Sequence, residues 1–158
     1  PLLPSILDRL LDDNPAVQRE PEASRSQVLR ELRASIRRDL QNLLNTRRRS
    51  MAADPELDQL DHSLINYGIP DFSGANIRSD ASRDRFRRAL EEVIRRFEPR
   101  FQTVRVHLLG NADPHDQTLR FRIDALVYAD PAPEPIAFDS RLEPVTYNFE
   151  IKGAQHDR

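Results

Sequence analysis

Apolar residues in the first half of the chain recur at helical spacing. From residue 28 onward they follow one another every three or four positions, which is typical of an amphipathic helix with one buried stripe. Ser24, with Gln27 three residues later, indicates a capping box at the start of that helix. The helix is predicted to end near Asn45 and Thr46. Its apolar stripe consists of Val28, Leu29, Leu32, Ile36, Leu40, Leu43 and Leu44.

Two further helices are predicted downstream. Asp54 followed by Pro55 is a helix-start signal, because aspartate caps the first turn and proline fits its first position. The apolar face of that short helix would consist of Leu57, Leu60, Leu64 and Ile65. Ser79 or Asp80 caps the next helix, and Pro99 ends it, because a residue before proline is steered away from helical backbone. Its stripe consists of Phe86, Leu90, Val93, Ile94 and Phe97.

Beyond Arg100 the apolar period changes from about 3.6 residues to about 2. Apolar and polar residues alternate at 104–108, 119–127 and 145–151. Such alternation is typical of strands with one buried face in an antiparallel sheet. The prolines in 130–135 predict a loop. Helices followed by strands predict an α+β fold, with N-terminal helices packed on one face of a small, two-layer antiparallel sheet of three to four strands.

The first 24 residues differ from the rest of the chain. A short amphipathic segment at 6–11 precedes a polar, proline-containing connector at 12–24. Such a segment is either an arm on a mobile linker or a helix packed on the main body. We expect an N-terminal arm and linker at 1–24. A single α+β domain at 25–158 follows, in keeping with a typical domain size of about 100–200 residues.

Composition excludes several classes of protein. The chain contains no cysteine, which excludes disulfides, thiol catalysis and thiolate ligands for zinc. Its four histidines have no metal-binding spacing. No apolar run approaches the roughly 18–20 residues of a membrane-spanning helix, and the first residues lack the features of a signal peptide. We therefore expect no cofactor, no metal, no membrane insertion and a cytoplasmic location.

Charge is segregated along the chain, although the net charge is only −2. Residues 25–50 hold eight arginines and two acids, and residues 78–105 hold nine arginines and five acids, whereas 106–158 hold five bases and nine acids. Lys152 is the only lysine. Either a GC-rich genome or recognition of carboxylates and phosphates explains such a bias. A pI near 6.1 and the absence of tryptophan argue against nucleic-acid binding.

Glu98 is the best-placed carboxylate for a glycosidase-type acid. Such an acid has to keep its proton in an apolar pocket, whereas Arg95, Arg96 and Arg100 surround Glu98 in the sequence and favour a structural ion pair. The chain also lacks a Gly-x-Ser-x-Gly nucleophile elbow and a glycine-rich phosphate loop. These observations predict no catalytic residues.

Three segments are distinctive in their order. They are residues 45–48 (Asn-Thr-Arg-Arg), 66–71 (Asn-Tyr-Gly-Ile-Pro-Asp) and 94–104, which contains Glu-Pro-Arg between an arginine-rich helix and an alternating strand. With residues 7–10 (Leu-Asp-Arg-Leu), they resemble the TssE family of type VI secretion baseplate proteins. That family is similar to a wedge protein of contractile phage tails. The resemblance covers roughly residues 6–151.

The resemblance implies assembly and no catalysis. Glu98, Pro99 and Arg100 correspond to the family's attachment point on the core bundle formed by two other wedge subunits. The strand-rich half would serve as a template for the first ring of sheath protein. The further partner-binding residues that we expect are Arg95, Arg96, Arg47, Arg48 and Tyr67.

The resemblance further implies a structural subunit that initiates sheath polymerisation, docked at the inner membrane. We expect a monomer in isolation and several copies in the baseplate. The alternatives are a peptidoglycan-cleaving enzyme, suggested by the "lysozyme-like" label of the family, and an arginine-rich nucleic-acid adaptor.

Two local expectations complete the sequence analysis. Glu98 and Arg100 should lie at a surface corner, where alanine substitutions weaken assembly and leave the fold intact. The last strand, 145–151, or its immediate neighbour should offer an open edge to an extended segment of the sheath protein. The alternative is that 145–151 is an internal strand paired on both sides.

Overall fold

In the described residues, the computed structural model contains two α-helices, one 3-10 helix and four strands. These residues are 10, 24–48, 60, 63–72, 79–110, 116, 118–129, 131–143 and 146–153. In chain order the elements are α1 (Arg25–Asn45), the 3-10 helix (Leu64–Asn66), α2 (Asp80–Phe97), β1 (Phe101–Leu109), β2 (Leu119–Val127), β3 (Glu134–Glu143) and β4 (Asn148–Gly153). The predicted arm at 1–24 lies almost wholly outside the described residues.

Helix α1 begins and ends where the sequence predicts. The hydroxyl of Ser24 accepts a hydrogen bond from the backbone N–H of Gln27 at 3.3 Å. Only this half of the capping box forms, because the Gln27 side chain donates to Glu31 at 3.0 Å. The buried residues of α1 are Leu32, Ser35, Ile36, Leu40, Leu43 and Leu44.

Helix α2 likewise follows its prediction. The hydroxyl of Ser79 accepts a hydrogen bond from the backbone N–H of Ser82 at 3.2 Å, and the helix ends at Phe97, two residues before Pro99. Phe97 is partly buried against the core. The predicted stripe is otherwise buried: Phe86, Leu90, Val93 and Ile94.

The helix predicted to start at Asp54 lies mostly outside the described residues. At its far end, the expected apolar face is wrong, because Leu64 is 84% and Ile65 50% exposed. The Asn66 amide donates to the carbonyl of Leu60 at 2.8 Å. This bond closes a tight 3-10 turn that points Asn66 inward, so the two apolar side chains face outward.

The four strands form one antiparallel sheet in the order β1-β2-β3-β4. Helix α1 packs against β4 and α2 against β1, on the same apolar face of the sheet. Phe86 of α2, Phe121 of β2 and Phe149 of β4 meet at the centre, with ring centroids 6.0 to 6.4 Å apart. The predicted α+β fold with antiparallel pairing is therefore confirmed.

One strand and one strand boundary differ from the sequence prediction. Glu134 begins β3, where we expected part of a loop, and the strand continues to Glu143. The predicted start of the last strand is too early, because Tyr147 lies in a turn with a φ of 51° and β4 begins at Asn148. Val145, the first residue of that predicted strand, lies outside the described residues.

Candidate attachment site at the α2–β1 corner

Glu98, Pro99 and Arg100 form the corner between α2 and β1. The backbone N–H of Glu98 donates to the carbonyl of Ile94 at 2.9 Å, and its φ of −116° and ψ of 83° lie outside the helical region. The carbonyl of Arg100 accepts from the N–H of Tyr128, just beyond β2, at 2.9 Å. Main-chain hydrogen bonds therefore fix the corner at both ends.

The guanidinium of Arg100 lies at the centre of an ionic cluster. Its Nε donates to Glu98 Oε1 at 2.6 Å, and its Nη2 contacts the second carboxylate oxygen of Glu98. Two further hydrogen bonds reach α1, from Nη1 to Ser35 Oγ at 3.1 Å and from Nη2 to Asp39 Oδ2 at 2.6 Å. Bidentate arginine–carboxylate contacts of this kind are strong and directional. The cluster therefore ties the corner to α1.

The expected surface position is wrong for Glu98. Its exposed fraction is 4%, which makes Glu98 the only buried charged residue in the described part of the chain. The Arg100 side chain is 20% exposed, whereas Pro99 is exposed. The reason is that α1 passes beside the corner and its polar side chains cover the ion pair. Removing one member of a buried ion pair leaves the other charge buried without a partner, so alanine at Glu98 should destabilise the fold.

Two pKa shifts report on the same cluster. Burial lowers the pKa of Arg100, but the hydrogen bond and charge of Glu98, followed by those of Asp39, raise it above its ordinary value. Burial, followed by the negative charges of Asp39 and Glu98, raises the pKa of Tyr67. The Tyr67 ring also packs edge-on against Phe97, with centroids 5.3 Å apart. Tyr67 therefore shares the environment of the Glu98–Arg100 pair.

Gly68 allows the turn that carries Tyr67 to lie directly on the end of α1. Its φ is +105°, and a Cβ at this position would lie 2.3 Å from the carbonyl oxygen of Thr46. The N–H of Ile69 donates to that same oxygen at 2.9 Å, and the N–H of Arg48 donates to the carbonyl of Ile69 at 2.8 Å. Glycine is required here both for its backbone conformation and for the close approach. Two of the three distinctive segments are thereby joined.

The remaining predicted site residues lie around this centre. Arg47 lies over the ring of Tyr147, with its Cζ 5.3 Å from the centroid. Arg96 pairs with Glu92 at 3.0 Å, and Arg95 is exposed on the last turn of α2. The structure thus gathers Tyr67, Glu98 and Arg100 and places the other arginines at the periphery.

Ser35 and Asp39 are members of the cluster that sequence analysis missed. They lie four positions apart, so they share one side of α1 next to its apolar stripe. A polar pair beside a buried stripe is a weak signal, because most such pairs face solvent. The cationic partner, Arg100, lies 61 positions after Asp39 and cannot be inferred from local spacing.

Side chains of α1 occupy the outer edge of β4. The N–H of Phe149 donates to Asn45 Oδ1 at 2.9 Å, and its carbonyl accepts from Asn45 Nδ2 at 3.0 Å and from Gln41 Nε2. The N–H of Ile151 donates to Gln41 Oε1 at 2.9 Å. The two amides thus replace a neighbouring strand. The expectation that this edge is open is wrong at Phe149 and at the N–H of Ile151.

The opposite edge of the sheet, at β1, is less covered. The N–H of Val106 donates to Glu91 Oε1 at 2.8 Å, and Glu91 also accepts from Arg87 at 3.0 Å. This is the one side-chain hydrogen bond to the main chain of β1 within the described residues. The two edges of the sheet therefore differ in how many of their backbone groups are occupied.

The described residues contain no group of three or more histidine, aspartate or glutamate side chains placed to hold a metal ion. Among the described helices, none combines the length and the apolar character needed to cross a bilayer.

Comparison with protein families matches residues 30–132 to baseplate wedge protein gp25. Comparisons with curated proteins and with solved structures found no match. The matched range includes most of α1, the turn at 66–71, the α2–β1 corner and the first two strands. It covers more than half of the chain and confirms the resemblance seen in the sequence. The chain belongs to the gp25 family of baseplate wedge proteins, which includes the TssE proteins and their phage counterparts.

Proposed function

We propose that this chain is a structural subunit of a type VI secretion baseplate that binds the core bundle of the wedge and starts sheath polymerisation. Membership of the gp25 family gives it a structural role in a phage-tail-like baseplate. The observation that carries the finer role is that the three distinctive segments are joined to one another. Residues 66–71 bind the end of α1 through main-chain hydrogen bonds, and Tyr67 of that turn lies beside the Glu98–Arg100 pair. Segments far apart in sequence that are joined in this way form a rigid platform for a partner.

Pro99 is the centre of the proposed attachment surface. It is exposed, and its ring fixes its own φ, so the corner presents a constant shape. The buried Glu98–Arg100 pair acts by holding this corner against α1. Arg95 and Arg96 flank the corner on α2, and Tyr67, Arg47 and Arg48 extend the surface along the adjoining turn and the end of α1.

Sheath polymerisation would begin at the sheet. An open edge accepts a partner strand through main-chain hydrogen bonds. Because Gln41 and Asn45 occupy much of the β4 edge, the proposed acceptor is β1, where one carboxylate contacts one backbone N–H. Strand addition at β1 would place the sheath segment next to the corner that binds the wedge.

The proposed subunit is not an enzyme, and its partners are the other wedge subunits and the sheath protein. Both carboxylate oxygens of Glu98 contact the Arg100 guanidinium, which leaves this acid poorly suited to give a proton to a substrate. The subunit would be a monomer in isolation and would assemble in several copies on the cytoplasmic side of the inner membrane.

Purification of the tagged chain from its native cells tests the proposal. Recovery of wedge and sheath subunits is expected, identified by mass spectrometry. Arg95→Glu should reduce recovery of wedge subunits severalfold, because reversal of an exposed interface charge disfavours the partner. Arg120→Glu is the matched control, since Arg120 is also exposed but lies on the outer face of β2, an inner strand of the sheet. Wild-type recovery with Arg95→Glu contradicts attachment at the corner.

A second measurement tests the absence of enzymatic activity. The purified chain should leave the turbidity of a suspension of bacterial cell walls unchanged. Dose-dependent clearing that Glu98→Gln abolishes, while the folded fraction stays the same by circular dichroism, would establish a peptidoglycan-cleaving enzyme instead.

A further inference from the structure

A groove of about 280 Å³ lies between α1 and the sheet, on the far side of α1 from the corner. Arg33, Ala34 and Arg37 of α1 form one wall. The other wall and the floor come from Ile136, Ala137 and Phe138 of β3 and from Lys152 and Gly153 of β4. We call this feature the α1–β3 groove.

Direct contacts between α1 and the sheet bound the groove in both directions along the helix. Arg25, at the start of α1, pairs with Glu134 of β3 at 2.7 Å. Further along, Gln41 binds the main chain of Phe149 and Ile151. Between these two contacts the wall bearing Arg33 and Arg37 makes no hydrogen bond to the strands in the described part of the chain. The groove is therefore a gap of defined length in an otherwise joined helix–sheet layer.

The charge of the groove is positive on the helix side. Arg33 and Arg37 are exposed, and neither makes an ion pair with another described residue. Lys152 is already paired with Glu150 at 3.1 Å, and Asp139 lies opposite Lys152 in the strand register. The two arginines therefore supply the charge that is available to a partner.

The spacing of the arginines defines the shape of that partner. Residues four apart on a helix are separated by about 6 Å along its axis. Side chains on one side of an extended chain repeat every two residues, or about 6.6 Å. Two acidic residues at alternate positions of an extended segment would thus face Arg33 and Arg37, while the residue between them would point away from this wall. Ile136 and Phe138, which are 5% and 2% exposed, only close the bottom of the groove.

We propose that the α1–β3 groove binds an extended segment of a partner protein that carries acidic residues at alternate positions. The inference does not rest on the baseplate role, because the groove lies on the opposite side of α1 from Ser35, Asp39 and the corner. Its basis is the match between the spacing of the two arginines on the wall of the groove and the repeat of an extended chain.

Fluorescence anisotropy with the full-length chain tests the inference. The probe is a labelled peptide of about nine residues with valine and glutamate at alternating positions, long enough to span the groove. The control probe has the same composition, with the glutamates in adjacent pairs that are separated by two valines, so that no two glutamates stand at alternate positions. The alternating peptide should bind at least about fivefold more tightly, because only its acids match the arginine spacing. Equal affinity for both peptides would overturn the inference.

Charge reversal locates the binding site. Arg33→Glu with Arg37→Glu should weaken binding of the alternating peptide about tenfold or more, because each attractive pair becomes repulsive. Arg120→Glu, on the outer face of the inner strand β2, should change it by less than about twofold. Unchanged binding by the double variant shows that the peptide binds elsewhere and contradicts the proposal.

Two measurements on the unmodified chain keep the test independent of whether the variants fold. Raising NaCl from about 50 to about 500 mM should weaken binding of the alternating peptide, since exposed charges are screened over a few ångströms at high salt. Binding that is insensitive to salt contradicts the role of the arginines. Sedimentation of the chain alone should show no self-association through this face. A dimer that Arg33→Glu with Arg37→Glu dissolves would identify a second copy as the occupant and overturn the proposal.

Discussion

The α2–β1 corner and the outer edge of β4 are both held by polar side chains of α1, but the chemistry of the two regions differs. At the corner, Asp39 joins a cluster of charged side chains centred on Arg100. At β4, the neutral amides of Gln41 and Asn45 bind main-chain groups. One helix therefore uses ionic contacts on one side and amide contacts on the other.

The ionic contact at the corner and the amide contacts at β4 have different effects on the fold. A buried ion pair costs desolvation energy, so it stabilises little overall but becomes very costly when one partner is removed. It fixes the geometry of Glu98 and Arg100. The amides of Gln41 and Asn45 instead satisfy backbone groups that must find a partner, and they close an edge that could pair with another chain. The ion pair thus fixes the shape of the corner, and the amides protect the β4 edge from pairing with another chain.

The largest loss of unfolding free energy should come from removing the ion pair at the corner. Glu98→Ala leaves the Arg100 guanidinium beside α1 with only Asp39 as its anionic partner, and it should cost about 3 to 5 kcal/mol of unfolding free energy. Denaturation in urea measures it. Glu92→Ala is the control, because the Glu92 side chain is 67% exposed in its ion pair and should cost no more than about 1 kcal/mol.

A double variant distinguishes an ion pair from independent contacts at the same corner. Glu98→Ala combined with Arg100→Ala should lower the unfolding free energy by less than the sum of the two single changes, because neither charge is then left buried without its partner. Additive costs would show that the two side chains contribute separately, and the contrast with the β4 edge would lose its basis.

The next largest effect should come from the turn that supports the corner. Gly68→Ala places a Cβ 2.3 Å from the carbonyl oxygen of Thr46 at a φ of +105°, and it should cost about 2 to 3 kcal/mol. Gly110→Ala is the matched control, because a Cβ there meets no atom within 4 Å. Equal melting temperatures for the two variants would contradict the close packing of the 66–71 turn on α1.

Opening the β4 edge should lower the unfolding free energy by less than the changes at the corner, and it should also promote self-association. Gln41→Ala removes the acceptor of the Ile151 N–H and one donor to the Phe149 carbonyl, at about 1 to 2 kcal/mol. The freed edge should also increase self-association, measured by light scattering at rising concentration. Gln27→Ala, which removes an exposed contact to Glu31, should do neither. A Gln41 variant that stays monomeric would show that the amides do not protect the edge.

The sequence predicted α1 and α2 well because each carries a long apolar stripe and a capping serine. It missed β3 for local reasons. Ser140 occupies an inward position of that strand, Ala137 weakens the polar face, and Pro135 follows a proline-rich run, so the alternation is blurred. The start of β4 was placed too early because Tyr147 continues an apparent alternation through a turn.

The candidate site was predictable in part. The residues around Glu98 and Tyr67 were found through the order of their segments, but their burial was not. Arg100, which pairs with Glu98, is also bound by Ser35 and Asp39, and these two side chains reach the corner only after α1 has packed beside it. Long-range packing of that kind leaves no mark in local spacing. The amide cover of β4 is non-local in the same way, since Gln41 precedes Ile151 by 110 positions.

The smallest expected effect tests whether the corner is electrostatic as well as rigid. Burial and the charges of Asp39 and Glu98 raise the pKa of Tyr67 above its ordinary 10.0. Above about pH 10 the unfolded chain therefore loses this proton before the native state does, so the native state binds more protons and stability falls as pH rises. Tyr67→Phe should change little at neutral pH and should flatten this alkaline decline. The chain suits the measurement, because one lysine and three tyrosines are its only side chains that ordinarily titrate near pH 10. Urea unfolding at successive pH values, with Tyr128→Phe as the exposed control, measures the slope. An equal slope for the wild type and Tyr67→Phe would mean that the negative cluster does not act on this phenol, and that the corner differs from the β4 edge in shape alone.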